Sequence, residues 1–166
     1  NKENFILFHF DEKWIYKQYL KSYINIEPKS YLDLINFLER ITNKTNNNLI
    51  ISSGNRNNKF IEDFKNDFSV INTNIYSFNN NKGYFLNNLS MKQLELVISK
   101  CSTIITCHGA PTHIAAAFNK KIIDIIDVSE KLFFVKWSAH FRKYEQLHRF
   151  EFSKLSEIIL SKILNK

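Results

Sequence analysis

Short runs of consecutive apolar residues recur along the chain, separated by polar turns and by longer amphipathic stretches. Four of these runs lack the polar alternation of a half-exposed strand, which indicates strands buried on both faces of a sheet. They are NFILFHF at 4–10, NLIISSG at 48–54, TIITC at 103–107 and KIIDIID at 121–127. Shorter, weaker strands are predicted within residues 69–78 and 144–150.

Stripes of apolar residues at helical spacing lie between the strands. They cover residues 30–44, 57–68, 90–101 and 153–164, and a further short helix is expected at 112–119. Ser30 and Ser90 are the expected N-caps of two of these helices, and Asp33 follows Ser30 at capping-box spacing. The alternation of strand and helix predicts the α/β class, as a Rossmann-like, doubly wound parallel sheet with helices on both faces.

Composition and charge narrow the class of protein. The 166 residues, 44% of them hydrophobic, are predicted to form one globular domain over residues 1–166. The net charge of +7 comes from scattered lysines and arginines with acids among them, so we do not expect nucleic-acid binding. Attraction to an anionic substrate or to an anionic membrane surface fits the same charge.

The two cysteines do not suggest a disulfide framework. Cys101 and Cys107 flank a predicted strand, whose extended length holds them too far apart to bridge. A reducing environment is the simpler interpretation, and we therefore expect a cytoplasmic protein.

The most informative segment is STIITCHGAPTHIAAAFNKKIIDII, at residues 102–126. Its turn lies at the carboxyl end of a strand, where doubly wound sheets bind ligands. Pro111 suits the first helical turn, and the free amides of Thr112 and His113 are expected to point out of the helix start as an anion site. Gly109 and Ala110 let a ligand approach the backbone, so we predict a bound phosphate or diphosphate.

In this prediction His108, His113 or both contact the phosphate, and Ala116 and Ala117, one turn behind His113, let the helix lie close to the sheet. The alternative is structural, with His113 packing or capping locally and His108 facing solvent. A zinc site formed by both cysteines and both histidines is a further alternative, although their spacing does not match the usual pairs. Cys107 and His108 are adjacent on an extended strand and point opposite ways, which disfavours a Cys–His nucleophile.

Several common motifs are missing from the sequence. It contains neither G-x-G-x-x-G nor G-x-x-x-x-G-K-[ST], and it has no G-x-S-x-G elbow. A dinucleotide-dependent dehydrogenase, a P-loop kinase and an α/β-hydrolase are therefore disfavoured.

The segment LSMKQLELVISKCSTIITCHGAPTHIAAAFNKKIIDII resembles the C-terminal half of GT-B glycosyltransferases of the heptosyltransferase type, glycosyltransferase family 9. That family carries Leu-Ser-x-x-Glu-Leu, an apolar strand, and Asp-[Ser/Thr]-Gly-Pro-x-His-x-Ala-Ala-Ala. The positions that match are Leu89, Ser90, Leu94, Pro111, His113 and Ala115 to Ala117. The chain differs at the start of the turn, where His108, Gly109 and Ala110 replace the acid, the hydroxyl residue and the glycine.

The resemblance implies a domain that binds a nucleotide-sugar donor. The turn at 109–113 would hold the diphosphate, and Lys13, next to Trp14 in the first loop, would add a positive charge. Two loops would line the base and ribose. One contains Ser53, Gly54 and Asn55, and the other contains Leu89 and Ser90. Backbone amides and a cation would stabilise the leaving nucleoside diphosphate without a metal or other cofactor, while the catalytic residues remain unknown.

The family also implies partners and a biological setting. A GT-B enzyme has a second, N-terminal half that binds the acceptor, so the chain, which begins at Asn1, is expected to be a fragment of, or a partner to, a two-domain enzyme. The isolated half would be inactive. The enzyme would transfer a sugar to a glycan or lipid-linked acceptor in bacterial lipopolysaccharide biosynthesis, with peripheral membrane contact. The alternative function is a non-catalytic nucleotide-binding module that scaffolds or regulates a partner.

Overall fold

A computed structural model describes residues 4–16, 24–45, 47–54 and 56–164 of the chain. In these residues a single sheet has the strand order β3-β4-β5-β2-β1-β6-β7-β8. The strands are β1 (Phe5–Phe10), β2 (Asn48–Ser53), β3 (Ser69–Asn72), β4 (Ile75–Phe78), β5 (Gly83–Leu86), β6 (Cys101–Cys107), β7 (Lys121–Ile126) and β8 (Tyr144–His148). The helices are α1 (Tyr31–Lys44), α2 (Lys59–Asp67), α3 (Met91–Lys100), α4 (Ala110–Ala117), α5 (Lys131–Ser138) and α6 (Phe152–Leu164).

The central part of the sheet is parallel, as the unalternated apolar runs predict. β5, β2, β1, β6, β7 and β8 all run in one direction. One edge of the sheet is antiparallel, where β3 and β4 pair antiparallel with each other and β4 pairs antiparallel with β5. A hairpin needs only a short turn, whereas a parallel pair needs a crossover, and no helical stripe separates these strands.

Two hydrophobic layers cover the faces of the sheet. On one face, α1, α2 and α6 pack on a core that includes the fully buried Phe8, Phe10 and Trp14. On the other face, α3 and α4 pack through residues such as Ile98 and Ala115. This three-layer arrangement confirms the Rossmann-like fold class with helices on both faces.

The N-caps predicted for α1 and α3 are confirmed. The Ser30 hydroxyl accepts a hydrogen bond from the Asp33 amide, and Ser90 forms a complete capping box with Gln93. Each cap satisfies backbone donors that have no partner inside the helix.

Asparagines take the backbone conformations that glycines usually supply in turns. Within the described residues, six asparagines have φ between 50° and 64°, namely Asn74, Asn79, Asn80, Asn81, Asn88 and Asn119. Asparagine tolerates the left-handed region better than most residues with a side chain. A chain with only 3 glycines can therefore still form tight turns.

Candidate functional site

The loop that follows β1 lies at the centre of the sheet edge where the parallel strands end. β1 lies between β2 and β6, and the chain continues outward from those two strands in opposite directions. Such a switch point leaves a crevice between the loops that follow the two central strands. The sequence places Asp11, Glu12 and Lys13 in the loop after β1 and the turn 108–113 after β6.

The first loop is held rigidly by side chains on both sides. Trp14 is fully buried and donates a hydrogen bond from its indole Nε1 to the carbonyl oxygen of His9, 3.0 Å away. The Asp11 carboxylate accepts hydrogen bonds from the Lys13 amide and from the Lys13 ammonium, each at 3.1 Å. Arg149, itself buried, donates to the Lys13 carbonyl oxygen at 3.3 Å.

Lys13 is thereby positioned as a half-buried cation. Burial by itself would lower the pKa of Lys13, but the adjoining Asp11 carboxylate outweighs it and raises the pKa above the usual value. The ammonium therefore stays charged at neutral pH. The Asp11 carboxylate also partly neutralises the Lys13 ammonium, because it competes with any bound anion for that ammonium.

The ammonium of Lys13 lies directly over Gly109. A Cβ atom at position 109 would lie 2.6 Å from Lys13 Nζ, so this approach requires glycine. The same principle applies at Gly54, where a Cβ atom would collide with the Glu12 carboxylate. Two of the chain's glycines thus let the charged side chains of the first loop lie against the ends of β2 and β6.

These loops surround an open cleft of about 680 Å³, a size typical of small-molecule sites. The cleft brings together seven of the residues predicted from the sequence, namely Lys13, Ser53, Gly54, Leu89, Ser90, Ala110 and Pro111. Its further charged lining residues are Asp11, Glu12 and Arg56, and the buried His9 also lines it. Asn55, also predicted to line the site, lies outside the described residues.

Two of the predicted cleft hydroxyls already have structural partners. Ser53 is buried and donates to the side-chain oxygen of Asn87 at 3.1 Å. The Ser90 hydroxyl belongs to the capping box of α3 and contacts Gln93 at 2.9 Å. Both residues border the cleft, so each stabilises the fold and also lines the cleft.

The expectation of free amides at Thr112 and His113 is wrong. Both amides donate to the Gly109 carbonyl oxygen, at 3.0 Å and 3.5 Å, because α4 begins two residues earlier than its predicted start. The Gly109 amide donates to the Thr112 hydroxyl oxygen at 3.3 Å. Among the described residues, the Ala110 amide has no hydrogen-bond partner, and Ala110 borders the cleft.

His108 does not lie in a free, solvent-facing turn. Its Nδ1 is 2.6 Å from the carboxylate of Asp124, which is fully buried in β7. The same carboxylate accepts hydrogen bonds from the Thr112 hydroxyl at 3.2 Å and from the Tyr144 hydroxyl at 2.7 Å. Asp124 therefore ties the turn and the start of α4 to strands β7 and β8.

His113 remains exposed at the start of α4. Its ring stands edge-on to His108 with 5.3 Å between centroids, and edge-on to Phe141 with 5.5 Å. Desolvation by these surroundings, followed by the neighbouring His108, lowers the pKa of His113 below its usual value. At neutral pH the ring is therefore neutral and can donate or accept one hydrogen bond.

The alanine prediction needs a correction. Ala115, rather than Ala116 or Ala117, is the fully buried alanine of α4, and Ala117 is exposed together with His113. The buried face of α4 consists of Pro111, Thr112 and Ala115. The helix still lies close to the sheet through a small side chain, but on a face rotated from the predicted one.

The cysteine and metal alternatives gain no support from the geometry. Cys101 and Cys107 are free thiols buried in the core, and burial raises the pKa of Cys101 to about 12 and that of Cys107 well above its usual value. A buried neutral thiol is a poor nucleophile. Within residues 4–16, 24–45, 47–54 and 56–164, no three His, Cys, Asp or Glu side chains converge as a metal site.

Sequence reasoning missed several residues of the site. Arg56 and Asp11 flank predicted positions and carry charge, so a search for charges beside the predicted loops would have found them. Asp124 gave a weaker signal, as a single acid inside the apolar run KIIDII. Buried carboxylates occur in strands only when donors surround them, which makes such an acid worth noting.

Comparisons with known proteins place the fold. No known protein family matches the sequence, and no curated protein matches it. Three chains of solved structures match the fold. One of them is the UDP-GlcNAc 2-epimerase from Methanocaldococcus jannaschii, an enzyme of GT-B-like fold, with a TM-score of 0.57 and 15% sequence identity. The match covers 100% of this chain and 40% of that chain, so this chain spans well under half of the epimerase's length.

This likeness supports the Rossmann-like fold. Nothing in the comparisons is specific to the heptosyltransferase type.

Proposed function

We propose that the cleft binds the nucleoside diphosphate part of a nucleotide sugar. The observation that carries this proposal is the position of the Lys13 ammonium over the Gly109 backbone, at the switch point of the sheet. A cation, the Ala110 amide and the start of α4 converge there on one side of the cleft. Diphosphates suit such positions because fixed positive charges and amide dipoles replace their hydration.

The cleft volume of about 680 Å³ leaves room for a nucleoside beside the diphosphate. The end of β2 and the start of α3 also line the cleft, with Arg56 as a second cation. The apolar side chains of Leu89 and Leu94 provide a surface on which a base can pack. The fold neighbour acts on UDP-GlcNAc according to its name, which makes a uridine nucleotide the first ligand to try.

The binding experiment is calorimetry with UDP, ADP, GDP, CDP and CMP. We expect one nucleoside diphosphate to bind, and Lys13→Gln to weaken it about tenfold through loss of one charge-assisted contact. Lys100→Gln is the matched control, since it removes the same charge from the exposed far end of α3. Equal losses in both variants, or no binding at millimolar nucleotide, would overturn the proposal.

We further propose that the bound nucleotide sugar is a glycosyl donor and that the second, acceptor-binding half comes from another part of the enzyme. The cleft supplies a cation and an amide where negative charge develops on a leaving nucleoside diphosphate. Release of nucleoside diphosphate from a sugar nucleotide, measured with and without the candidate acceptor half, tests this step. Turnover only with that half supports the transferase.

A non-catalytic binding module is the second candidate. The Asp11 carboxylate, 3.1 Å from Lys13 Nζ, offsets the charge that a transferase would use. Nucleotide binding without release of nucleoside diphosphate, in the presence of the acceptor half, would favour the module.

A further inference from the structure

The exposed face of α5 carries large apolar side chains in contact with solvent. Leu132 is 81% exposed, and Phe133 and Trp137 are each 57% exposed. The Phe133 and Trp137 rings are neighbours, with 5.9 Å between their centroids. Large apolar side chains that no other part of the described structure covers often mark a binding surface, so the exposed face of α5 is a candidate for one.

The opposite face of α5 anchors the helix to the body of the domain. Ser138 is buried, and the Phe134 ring lies 4.1 Å from the His108 ring, centroid to centroid. The anchored face follows the spacing of four residues that defines one side of a helix. The exposed apolar side chains therefore belong to a formed helix with a fixed orientation.

Basic residues surround the apolar ones. Residues 131–143, with the sequence KLFFVKWSAHFRK, contain Lys131, Lys136, Arg142 and Lys143 and no aspartate or glutamate. All four cations are exposed. The nearest acid beyond this segment on β8, Glu145, lies 2.9 Å from Lys162 and 3.8 Å from Lys121.

We propose that this surface, residues 131–143, binds an anionic lipid bilayer at the level of the headgroups. Aromatic and leucine side chains enter the headgroup boundary, and the lysines and arginine hold anionic lipids around them. A tryptophan is well suited to this depth, because its ring is apolar and its indole N–H is polar. A second copy of the chain is a poorer occupant, since its docking would bring two sets of four cations together.

The orientation has a consequence for the cleft. Because Phe134 of the anchored face contacts His108, the bilayer would lie beside the turn that precedes α4. A lipid-linked ligand could then approach the site from the membrane.

The first test uses the tryptophans of the chain as probes. Trp14 is fully buried and Trp137 is 57% exposed, and the chain has 2 tryptophans in all. Vesicles containing about 30% phosphatidylglycerol should shift the emission of Trp137 to shorter wavelength, whereas pure phosphatidylcholine should leave it unchanged. Trp137→Phe should abolish the shift, because Trp14 already lies in an apolar environment.

The second test measures vesicle affinity by sedimentation without nucleotide, so its outcome is independent of the proposed function. Lys136→Gln and Arg142→Gln should each weaken binding about fivefold, as expected for one surface cation. Phe133→Ser should weaken binding at least as much. The controls are Leu96→Ser and Lys100→Gln on α3, which remove an exposed leucine and an exposed lysine outside residues 131–143.

Three outcomes would overturn the proposal. They are the absence of sedimentation with anionic vesicles, equal binding to neutral and anionic vesicles, and equal losses in the α3 controls. Self-association that disappears in Phe133→Ser, with no binding to vesicles, would instead assign the surface to a second copy of the chain.

Discussion

His108 and Asp124 are joined across the carboxyl ends of two neighbouring strands, with 2.6 Å between Nδ1 and the carboxylate oxygen. Asp124 lies one strand away from the turn that it stabilises, and its carboxylate is inaccessible to solvent. A hydrogen bond from Nδ1 orients the ring and leaves Nε2 as the free ring nitrogen. The histidine that opens the turn is therefore a positioned group.

Asp124→Asn should lower the free energy of unfolding by about 2–3 kcal/mol. The buried carboxylate accepts hydrogen bonds from Thr112 and Tyr144 as well as contacting His108, and an amide cannot accept all of them. Urea denaturation measures the change. Glu95→Gln, an exposed carboxylate on α3, should change stability by less than about 0.5 kcal/mol, and an equal loss in both variants would contradict the argument.

Gly109→Ala should weaken nucleotide binding and leave the fold nearly as stable. The new methyl group takes the position over which the Lys13 ammonium lies, and that flexible side chain can move away. We expect affinity to fall about tenfold, as in Lys13→Gln, because the same contact is lost. Calorimetry on Gly109→Ala, Lys13→Gln and the double variant should give one common loss, whereas additive losses would separate the two residues.

Gly83→Ala, unlike Gly109→Ala, should destabilise the fold, by about 1–3 kcal/mol. A Cβ atom at this position in β5 would overlap the ring of Phe78, which is buried against Phe68. Packed rings cannot move as a lysine does. Gly54→Ala is the matched comparison, because its new methyl group overlaps only the end of the flexible Glu12 side chain and otherwise meets Asp11 Cβ at 3.3 Å. Equal unfolding midpoints for Gly83→Ala and Gly54→Ala would contradict this prediction.

The stability of the protein should fall as the pH is lowered from about 7.5 to 5.5. His9 is 5% exposed, and burial lowers its pKa below the usual value of about 6.5. In this range the unfolded chain binds a proton that the folded chain resists, so the free energy of unfolding rises with pH. Above about pH 7.5 both states are neutral at this residue and its contribution is constant.

Urea denaturation at several pH values tests this assignment. His9→Asn should flatten the pH dependence, although it also removes the 2.8 Å contact between His9 Nδ1 and the Ser52 hydroxyl. The informative quantity is therefore the slope with pH, and not the stability at one pH. His140→Asn removes an exposed imidazole and should keep the parent slope. If the slope is unchanged in His9→Asn, the pH dependence of stability arises from other titratable groups.

Local signals in the sequence account for most of the fold. Apolar runs without alternation marked the parallel strands, and serines at the right spacing marked helix starts, because burial on two faces and capping of free amides act over a few residues. The hairpin of β3 and β4 was harder to predict as an antiparallel edge, since Val70 and its neighbours in β3 are exposed and carry little hydrophobic pattern. Whether a strand runs parallel or antiparallel depends on which strand it pairs with in the folded protein.

The residue pattern alone predicts the parallel strands, and with them the position of the turn after β6 at the ligand-binding edge of the sheet. The loops after β1 and β2 and the start of α3 were assigned to the same site only through the family resemblance. Which groups face one another there depends on the three-dimensional packing. It placed Asp11 on Lys13, Asp124 on His108 and the amides of the turn on Gly109. The pair of His108 and Asp124 joins two neighbouring strands from positions 16 residues apart in the chain, so no local pattern of residues encodes it. The other two pairings are local, but they depend on the exact backbone conformation of the loop and of the turn.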